Sequence, residues 1–374
     1  MIKYGIIGLG NCGGQITAKA AKELDVNGIV LNTSDQDLEK VKDAGDNVHV
    51  FHLGDKQGAG QNRMEAKVAL KEAIQVVVED EDFKKFIKEL EVIYIVSSTG
   101  GGTGSGIAPI MYDLVNSMST ATCILIGVLP TLEEDRGIQV NSLNYLNEIY
   151  NCLEDVRYMI YDNNNFTNLS SVNMMQKINQ CVVNDIQILS GYFNTATEYT
   201  SMDNRDMLKV ISSPGGIIVA SVRDISEKDL DTLSIEERII EDLKTNAHCE
   251  FDRDGIVQYT GIIVRLSERI NETLNMNIPA IRGFIGEPKG TGFKHIYINT
   301  DQSLPNDAFF IASGMSPIND RIVKINERVA ELDAKSTERS KATALESSVL
   351  GEGSLEEKKT GNTDISYIFE RFGV

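Results

Sequence analysis

The residues with the clearest chemical purpose are the glycines at 98–106, where the sequence reads STGGGTGSG. Glycine has no Cβ and adopts positive φ cheaply, so the amides of such a loop can crowd around a ligand. An apolar run precedes the loop and an amphipathic stretch follows it, so the positive end of a helix dipole is expected there. The loop therefore predicts an anion site, above all one for a phosphate chain.

Two more glycine loops follow earlier apolar runs. The first, GLGNCGGQ at 8–15, fits the GxGxxG fingerprint of dinucleotide-binding proteins and leaves an NAD-dependent oxidoreductase as an alternative. The second, GDKQGAG at 54–60, is unexplained by that alternative, as is the loop at 98–106. Three glycine loops at successive strand ends suit a ligand with several phosphates. Because the sequence has no GxxxxGK[ST] motif, we expect amides, hydroxyls and Mg²⁺ to hold the phosphates without a P-loop lysine.

The elements that must position these loops alternate along the first half of the chain. Apolar runs predict strands at 3–8, 28–31, 48–53, 92–96, 123–129 and 158–161, with helical patterns at 11–24, 35–44, 64–78, 107–118 and 137–153. Buried strands that alternate with helices are typical of a Rossmann-like parallel sheet with helices on both faces. Ligands bind such α/β sheets at the carboxyl ends of the strands, where all three glycine loops are expected.

The second half of the chain has a different rhythm. A helical pattern at 171–192 predicts a helix of roughly 30 Å, long enough to cross a domain. Strand-like runs follow at 216–222, 261–265, 295–298 and 309–312, with helices at 235–246, 266–275 and 319–334. We therefore expect four regions: a ligand-binding domain at 1–170, a connecting helix at 171–193, a smaller α+β domain at 194–330, and a helix end, flexible tail and docking segment at 331–374.

The tail has two parts. Residues 335–362 are rich in Ser, Thr, Glu, Lys and Gly, so we expect them to bury too little apolar surface to become ordered. Beyond them, Ile365, Ile368, Phe369 and Phe372 recur with helical spacing. This amphipathic element either docks on a partner or folds back onto its own domain, and the pattern leaves both open.

Composition sets further bounds. The chain has 374 residues, 41% of them hydrophobic, and a formal net charge of −19. The hydrophobic content is ordinary for a globular protein, but the negative net charge argues against a direct nucleic-acid surface, which needs clustered Lys and Arg. No run approaches the ~18 apolar residues of a membrane span. The five scattered cysteines and the strand-like N-terminus favour a reduced, cytoplasmic protein without a signal peptide.

Several motifs together resemble the tubulin/FtsZ superfamily. GGGTGSG at 100–106 resembles its signature loop in the tubulin form, GNCGGQI at 10–16 is close to tubulin's GQCGNQI, and GAG at 58–60 resembles the loop that senses the γ-phosphate. The resemblance covers the chain to about residue 330, with the motifs in the expected order. It implies a GTPase that binds GTP, GDP and Mg²⁺, the metal being held through water near Asn11, where tubulin has a glutamine.

The resemblance also assigns roles to single positions. Asn163 ends the last strand where the family has an asparagine that reads the purine ring. Asn179 matches a second guanine-reading asparagine, although a solvated helix residue is the alternative. Glu133, Glu134 or Asp135 is expected to contact the ribose. The residues that we expect to bind the nucleotide are Gly10, Asn11, Cys12, Gln15, Asn32, Gly58, Ala59, Gly60, Thr99, Gly100, Gly101, Gly102, Thr103, Gly104, Ser105, Glu133, Asn163 and Asn179.

The catalytic residues are expected in SMDNRD at 201–206, which resembles the family's NxDxxD loop with Ser201 in place of the first asparagine. Asp203 and Asp206 are three apart, so on a helix they share one face and can orient an attacking water. The alternative is that they cap a helix. The resemblance implies that this loop reaches the nucleotide of the next subunit. Hydrolysis then depends on a repeating head-to-tail contact, which gives a filament.

Within the superfamily, the strand end VLP at 128–130 and the run DNN at 162–164 resemble TubZ-type plasmid and phage segregation proteins. That branch implies assembly with other copies of the chain and a small DNA-binding adaptor on centromere-like DNA, without direct nucleic-acid or membrane binding. CetZ- or FtsZ-like proteins of cell shape or division are the alternative branch.

Overall fold

A computed structural model describes residues 2–42, 45–55, 57–191, 203–226, 234–252, 255–267, 278–290, 292–299, 305–342 and 365–374. The strands in these ranges are β1 (Tyr4–Leu9), β2 (Gly28–Asn32), β3 (Val48–His52), β4 (Val92–Ser98), β5 (Thr122–Leu129), β6 (Arg157–Asp162), β7 (Gly215–Val222), β8 (Tyr259–Ser267), β9 (Phe293–Asn299) and β10 (Asp307–Met315). The α-helices are α1 (Gly10–Leu24), α2 (Asp35–Lys42), α3 (Arg63–Glu79), α4 (Glu81–Glu89), α5 (Thr103–Met118), α6 (Arg136–Asn151), α7 (Ser171–Leu189), α8 (Asn204–Ile211), α9 (Ile235–Thr245), α10 (Ile278–Ile285), α11 (Asn319–Ala342) and α12 (Ser366–Arg371).

The described strands form one 10-stranded sheet in the order β3-β2-β1-β4-β5-β6-β7-β10-β8-β9. Strands β1 to β6 are parallel to their neighbours, and β10 is antiparallel to both β7 and β8. The predicted α/β class with a Rossmann-like parallel sheet is confirmed. Strands β6 and β7 join through two residue pairs, Arg157–Gly215 and Tyr158–Gly216. Because the sheet runs across this junction, the predicted division into domains stays a prediction.

Apolar side chains cover both faces of the sheet. Successive residues of a strand point to opposite faces, and in β1 Ile6 and Ile7 are both fully buried, each in a different core. Helices α3, α5 and α6 pack over the face of Ile7, and α1, α7 and α8 over the face of Ile6. The two-sided core explains why the parallel strands read as continuous apolar runs.

Helix α7 runs from the edge of the sheet where the parallel strands have their carboxyl ends (the carboxyl edge) to the edge where they have their amino ends (the amino edge). It begins just after the carboxyl end of β6, and its C-cap Ser190 accepts a hydrogen bond from the Ile2 amide, next to the amino end of β1. Its 19 residues span about 28 Å. The prediction of a long connecting helix is therefore confirmed. No helix in the described ranges, α7 included, is both long and apolar enough to cross a membrane.

Several predicted boundaries were wrong. Helix α4 was not predicted, and α5 begins at Thr103 instead of Ile107. Helix α11 continues to Ala342, so the prediction that order ends near 335 fails for residues 335–342, where Ala, Lys, Arg and Glu favour a helix. The expected helix at 266–275 is wrong at its first two residues, which end β8. The rest of that helix and most of the tail at 343–362 lie outside the described residues.

The amphipathic segment at the end of the chain folds back onto its own subunit. Helix α12 packs against α5, and Ile368, Phe369 and Phe372 are buried in the core shared by α3, α5 and α6. The structure thus decides between the two alternatives that the sequence pattern left open.

Candidate functional site

The N-terminal ends of helices α1 and α5 lie against each other. Gly10 opens α1 directly after β1 with φ of +67°, and a Cβ built on it would lie 2.8 Å from Gly104 N. A Cβ on Gly104 would in turn lie 2.7 Å from Leu9 O. Glycine at both positions lets the loop at 98–106 and the loop after β1 touch backbone to backbone. The two loops that were singled out from the sequence therefore form one surface.

Both helix ends at this surface are uncapped among the described side chains. The N-caps of α1 and α5 are Leu9 and Gly102, neither helix start receives a side-chain hydrogen bond, and neither first turn holds an acidic residue. The first amides of a helix have no intrahelical partner, and the helix dipole makes that end positive. Two such ends that lie beside glycine backbone are chemically suited to an anion.

A pair of buried hydroxyls joins β2 to this site. Thr33, just beyond β2, and Thr103, the first residue of α5, lie 2.7 Å apart through their Oγ1 atoms. Thr33 also accepts the Gly58 amide through its backbone oxygen at 2.7 Å. It therefore ties the loop at 98–106 to the loop at 54–60. Sequence analysis missed Thr33, whose partner Thr103 is 70 residues away along the chain.

Helix α6 anchors the middle of the signature loop. Thr99 is fully buried, and its hydroxyl lies 2.9 Å from Ser142 Oγ and 3.2 Å from Val128 O. Asn141 Nδ2 lies 3.0 Å from Gly100 O and 3.2 Å from Gly101 O. The hydroxyl of Thr99 thus holds the loop in place from within the core. Asn141, which was not predicted, fixes the loop carbonyls from outside.

The remaining residues of the signature loop have their own contacts. Ser105 Oγ donates a hydrogen bond to Gly101 O, one helical turn earlier, so this hydroxyl stabilises the conformation of the loop. A Cβ on Gly102 would lie 2.9 Å from Gln61 Cα, so glycine lets the start of α5 pass close to the segment before α3. Neither contact uses a backbone amide of the loop.

The loop at 54–60 contributes backbone at the rim of the site. Gly58 and Gly60 have φ of +103° and +53°, and a Cβ built on either would meet no atom within 4 Å among the described residues other than its chain neighbours. Ala59 between them is buried in the core. The two glycines therefore border open space while Ala59 anchors the loop. A cavity of about 390 Å³ adjoins it, lined by Thr33, Leu53, Gly54, Asp55, Gly58, Ala59, Asn62, Met64, Glu65, Val68, Ala69 and Glu72.

The candidate site residues of α1 and β2 differ in their exposure to solvent. Gln15 Nε2 donates to Asn11 Oδ1 at 2.9 Å on the outer face of α1. Cys12 packs against the core, and burial of its thiol raises its pKa to about 12. Asn32 is 3% exposed, and its Nδ2 lies 3.5 Å from Asp37 Oδ2. Asn11 and Gln15 are thus the members of this group with accessible polar atoms.

The predicted base-reading residues lie beyond β6. Asn163 begins a short 3₁₀ helix, and its Oδ1 is buried without a hydrogen-bond partner among the described residues. A buried acceptor without a partner costs free energy unless a ligand satisfies it. Asn179 is half-buried on α7, on the side of the sheet that α7 shares with α1. Glu133 is exposed in the loop after β5 and lines a groove beside α11.

A buried ion pair holds the end of β6. Arg321 of α11 donates to both carboxylate oxygens of Asp162, at 2.6 Å from Nε and 3.0 Å from Nη2, and its Nη2 also donates to Pro130 O at 2.8 Å. Arg321 and Asp162 are 4% exposed each. This contact fixes the backbone next to Asn163 and was not predicted from the sequence.

The two predicted catalytic carboxylates lie at helix α8. Asp203 is the N-cap of α8, and its Oδ1 accepts a hydrogen bond from the Arg205 amide at 3.0 Å. One carboxylate oxygen of Asp203 therefore has the helix-capping role that was the alternative to catalysis. Asp206 follows in the first turn. At the other end of α8, Ser212 Oγ lies 2.8 Å from Thr122 Oγ1, and Ser212 O accepts from Arg157 Nε at 2.6 Å.

Those contacts place α8 at the opposite edge of the sheet from the glycine loops. Thr122 and Arg157 begin β5 and β6, whereas the signature loop follows the carboxyl end of β4, where Ser98 pairs with Val128. From Thr122 to Val128 the strand rises about 20 Å. The eight residues of α8 span only ~12 Å. Even a helix directed back toward the loops would leave its aspartates short of them within one subunit.

Comparison with known protein families identifies the domain formed by the first part of the chain. Residues 3–171 match the family model described as the Tubulin/FtsZ family, GTPase domain. Residues 3–171 form a GTPase domain of the Tubulin/FtsZ family. The match ends just as α7 begins and includes all three glycine loops and Asn163.

The matches to known proteins extend beyond residues 3–171. The tubulin-like protein TubZ of Clostridium botulinum C phage is 24% identical over 318 residues, or 82% of this chain and 77% of that protein. The tubulin-like protein CetZ of Pyrococcus abyssi is 25% identical over 288 residues, or 74% and 78%. A GTPγS-form protofilament of Bacillus thuringiensis serovar israelensis TubZ has a TM-score of 0.73 at 17% identity, covering 90% of this chain and 94% of that one. The likeness in structure confirms the fold.

Proposed function

We propose that this protein is a GTP-dependent, filament-forming GTPase that hydrolyses GTP at the contact between successive subunits. The observation that carries the proposal is the position of the two half-sites. The phosphate-binding loops lie at the carboxyl edge of the sheet, and the helix with Asp203 and Asp206 lies at the amino edge. A head-to-tail contact between two subunits brings these edges together.

The groups at the carboxyl edge fit a purine nucleoside triphosphate. The uncapped ends of α1 and α5 supply amides for the phosphates. The buried Oδ1 of Asn163 supplies an acceptor for an N–H on the edge of guanine, and Asn179 a second amide group. Bound Mg²⁺ neutralises phosphate charge, and Asn11 and Gln15 are the side chains that could hold its water ligands.

Two carboxylates from the neighbouring subunit provide what this edge lacks. In the proposed reaction they orient a water whose oxygen attacks the γ-phosphorus. The bond from that phosphorus to the β–γ bridging oxygen breaks, GDP leaves, and a water proton passes to the released phosphate. Asp203 uses Oδ1 to cap α8, so its second oxygen and the carboxylate of Asp206 are the groups assigned to the water.

Two structural neighbours that form protofilaments support the proposed assembly into filaments. One neighbour is described as a TubZ protofilament and another, at TM-score 0.71 and 18% identity over 90% of this chain and 100% of that one, as a GTPγS-bound protofilament of CetZ2 from Haloferax volcanii. A contact that joins unlike surfaces and repeats does not have to close, so it produces a filament.

The first experiment measures GTP turnover and light scattering against protein concentration. We expect both to rise together above one critical concentration, since each active site needs two subunits. The test variants are Asp203→Asn and Asp206→Asn. Asparagine also caps helices, so the first keeps α8 capped, while turnover should fall by about 10²-fold or more and filaments should still form. The matched control is Asp46→Ala, which removes an exposed carboxylate elsewhere. Turnover per subunit that does not depend on concentration would refute hydrolysis between subunits.

Mixing variants gives a second test. Asp203→Asn subunits keep their phosphate loops, and Gly10→Ala subunits keep their carboxylates. In a filament built randomly from equal amounts, about one quarter of the contacts pair an intact nucleotide site with intact aspartates. We expect the mixture to recover turnover toward that fraction, although each variant alone is inactive. A mixture as inactive as its components, with co-assembly shown by sedimentation, would contradict the proposal.

Ligand choice separates this proposal from the oxidoreductase alternative. A ligand that binds only the native state raises the melting temperature by mass action. We expect GTP and GDP to raise it at concentrations at which ATP and NAD do not. A shift with NAD alone would favour the alternative.

We further propose that the filament positions plasmid or phage DNA through a basic adaptor. The net charge of −19 supports an indirect link, because DNA binding requires cationic surface. The TubZ match supports this branch, whereas the CetZ matches support a role in cell shape. Loss of a replicon on disruption of the chain, without a change in cell shape, is the expected result. Altered shape with normal replicon retention would favour the CetZ-like role.

A further inference from the structure

The segment at 365–374 has a built seat on the GTPase domain. Phe369 and Phe372 are 2% and 5% exposed, and Ile368 is 1% exposed. Arg371 Nη1 lies 2.8 Å from Asp113 Oδ2 on α5. Lys67 Nζ of α3 donates to Phe372 O at 2.8 Å and lies over its ring. The segment is therefore held by apolar burial, an ion pair and a buried cation.

The same cation leads to the signature loop. Lys67 Nζ donates to Glu148 Oε1 of α6 at 2.9 Å, and Arg63 Nη2 donates to Glu148 Oε2. Arg63 Nη2 also donates to Ser105 O at 2.8 Å, within the first turn of α5. Arg63 and Lys67 are 8% and 4% exposed. A continuous path of hydrogen bonds, partly buried at Glu148 and buried at its two cations, thus runs from Phe372 through Lys67, Glu148 and Arg63 to the backbone of the signature loop.

We propose that the segment at 365–374 is an intramolecular latch whose docking is coupled to nucleotide binding through Lys67, Glu148 and Arg63. With the segment seated, Phe372 O satisfies Lys67, and Glu148 divides its two oxygens between two cations. When the segment leaves, Lys67 loses that partner, and the contacts of Glu148 and Arg63 that support Ser105 O change with it. The inference rests on the proposed nucleotide site and adds its regulation.

Coupling between two sites is reciprocal, so both directions can be measured. Undocking the segment should weaken nucleotide binding, and nucleotide should make the segment leave its seat less often by the same factor. We expect a factor of at least about five, within the usual range for coupled sites. The full chain is studied below its assembly concentration, with fluorescent GDP for affinity and amide hydrogen exchange for the opening of the segment.

The undocking variant is Phe369→Ala with Phe372→Ala. Tyr367→Ala is the matched control, because Tyr367 lies on the same helix but is 51% exposed. Arg371→Glu, which sets a carboxylate beside Asp113, is a milder second variant should the double change impair folding. The latch predicts weaker GDP binding for the undocking variants and unchanged binding for Tyr367→Ala.

The relay is tested with Glu148→Gln in a double-mutant cycle. We expect the undocking changes to alter GDP affinity in the native background but by less than twofold in the Glu148→Gln background. An undocking variant that exchanges freely at 365–374 yet binds GDP within twofold of the native chain would overturn the proposal. So would protection of the segment that rises with protein concentration, since a second copy would then be its partner. Failure of every chain, native included, to bind GDP would instead refute the proposed nucleotide site.

Discussion

The hydroxyl pair of Thr33 and Thr103 provides a sharp test of how the site is held together. Their oxygens are 2.7 Å apart, and the residues are 3% and 8% exposed. Thr33→Val keeps the shape of the side chain but leaves the Thr103 hydroxyl buried without this partner. Such a loss costs about 1–3 kcal/mol, whereas removal of both partners by apolar groups of the same shape is nearly neutral. The double valine variant should therefore be more stable than the sum of the single effects predicts.

Urea unfolding of the nucleotide-free protein measures these effects. We expect each single variant to lose about 1–3 kcal/mol and the pair to show a coupling of about 1 kcal/mol or more. Titration with fluorescent GDP then distinguishes an effect on the nucleotide site from an effect on the stability of the whole fold. The matched control is Thr122→Val, since the Thr122 hydroxyl has a similar contact with Ser212 at 2.8 Å on the opposite edge of the sheet. It should lose stability without losing GDP affinity.

Two results would refute this reasoning. Single-variant losses that add within about 0.3 kcal/mol would show that the hydroxyls do not depend on each other. GDP affinity that falls equally in Thr33→Val and Thr122→Val would show that the loss reflects general stability and not the link between the two glycine loops.

Three further predictions concern the loops and their support. Gly10→Ala, which places a Cβ 2.8 Å from Gly104 N at φ of +67°, should weaken GDP binding more than about tenfold in titrations, because an L residue is strained there. Arg321→Leu leaves Asp162 as a buried, unpaired carboxylate, so urea unfolding should show a loss of about 3–5 kcal/mol, partly recovered by adding Asp162→Asn. Alkylation of Cys12, followed by mass spectrometry, should rise about tenfold per pH unit from pH 8 toward its pKa of about 12, because the thiolate is the reacting form; a plateau near pH 9 would contradict this.

The sequence was sufficient for elements that depend on local pattern. The run of Val92–Ser98 is apolar and buried over nearly its whole length, so its place as a central parallel strand could be predicted. The start of α5 could not, because Gly104 and Gly106 are typical of loops. In the structure, Gly104 is required by its approach to Leu9 O, and the first helical turn needs no intrahelical partner for its amides.

Residues whose role depends on distant partners were beyond sequence reasoning. Thr33 meets Thr103 across 70 positions, and Asn141 meets Gly100 across 41. Neither side chain belongs to a motif, and each finds its partner only when the sheet and helices are assembled. The glycine loops could be predicted because their chemistry is written in consecutive residues. The side chains that hold those loops at working distance could not.

The separation of the half-sites constrains any assembly that this protein forms. One half-site follows the carboxyl ends of the strands, and the other lies on α8, which is anchored near their amino ends through Ser212. A two-fold dimer formed end to end places one and the same edge of each subunit against the other, so it would pair loops with loops or aspartates with aspartates and leave both half-sites incomplete. Only a contact between unlike edges completes a site, and each added subunit then offers a new unused edge. In the proposed filament, hydrolysis and open-ended growth are therefore two consequences of one arrangement, in which α7 carries the chain from one edge of the sheet to the other.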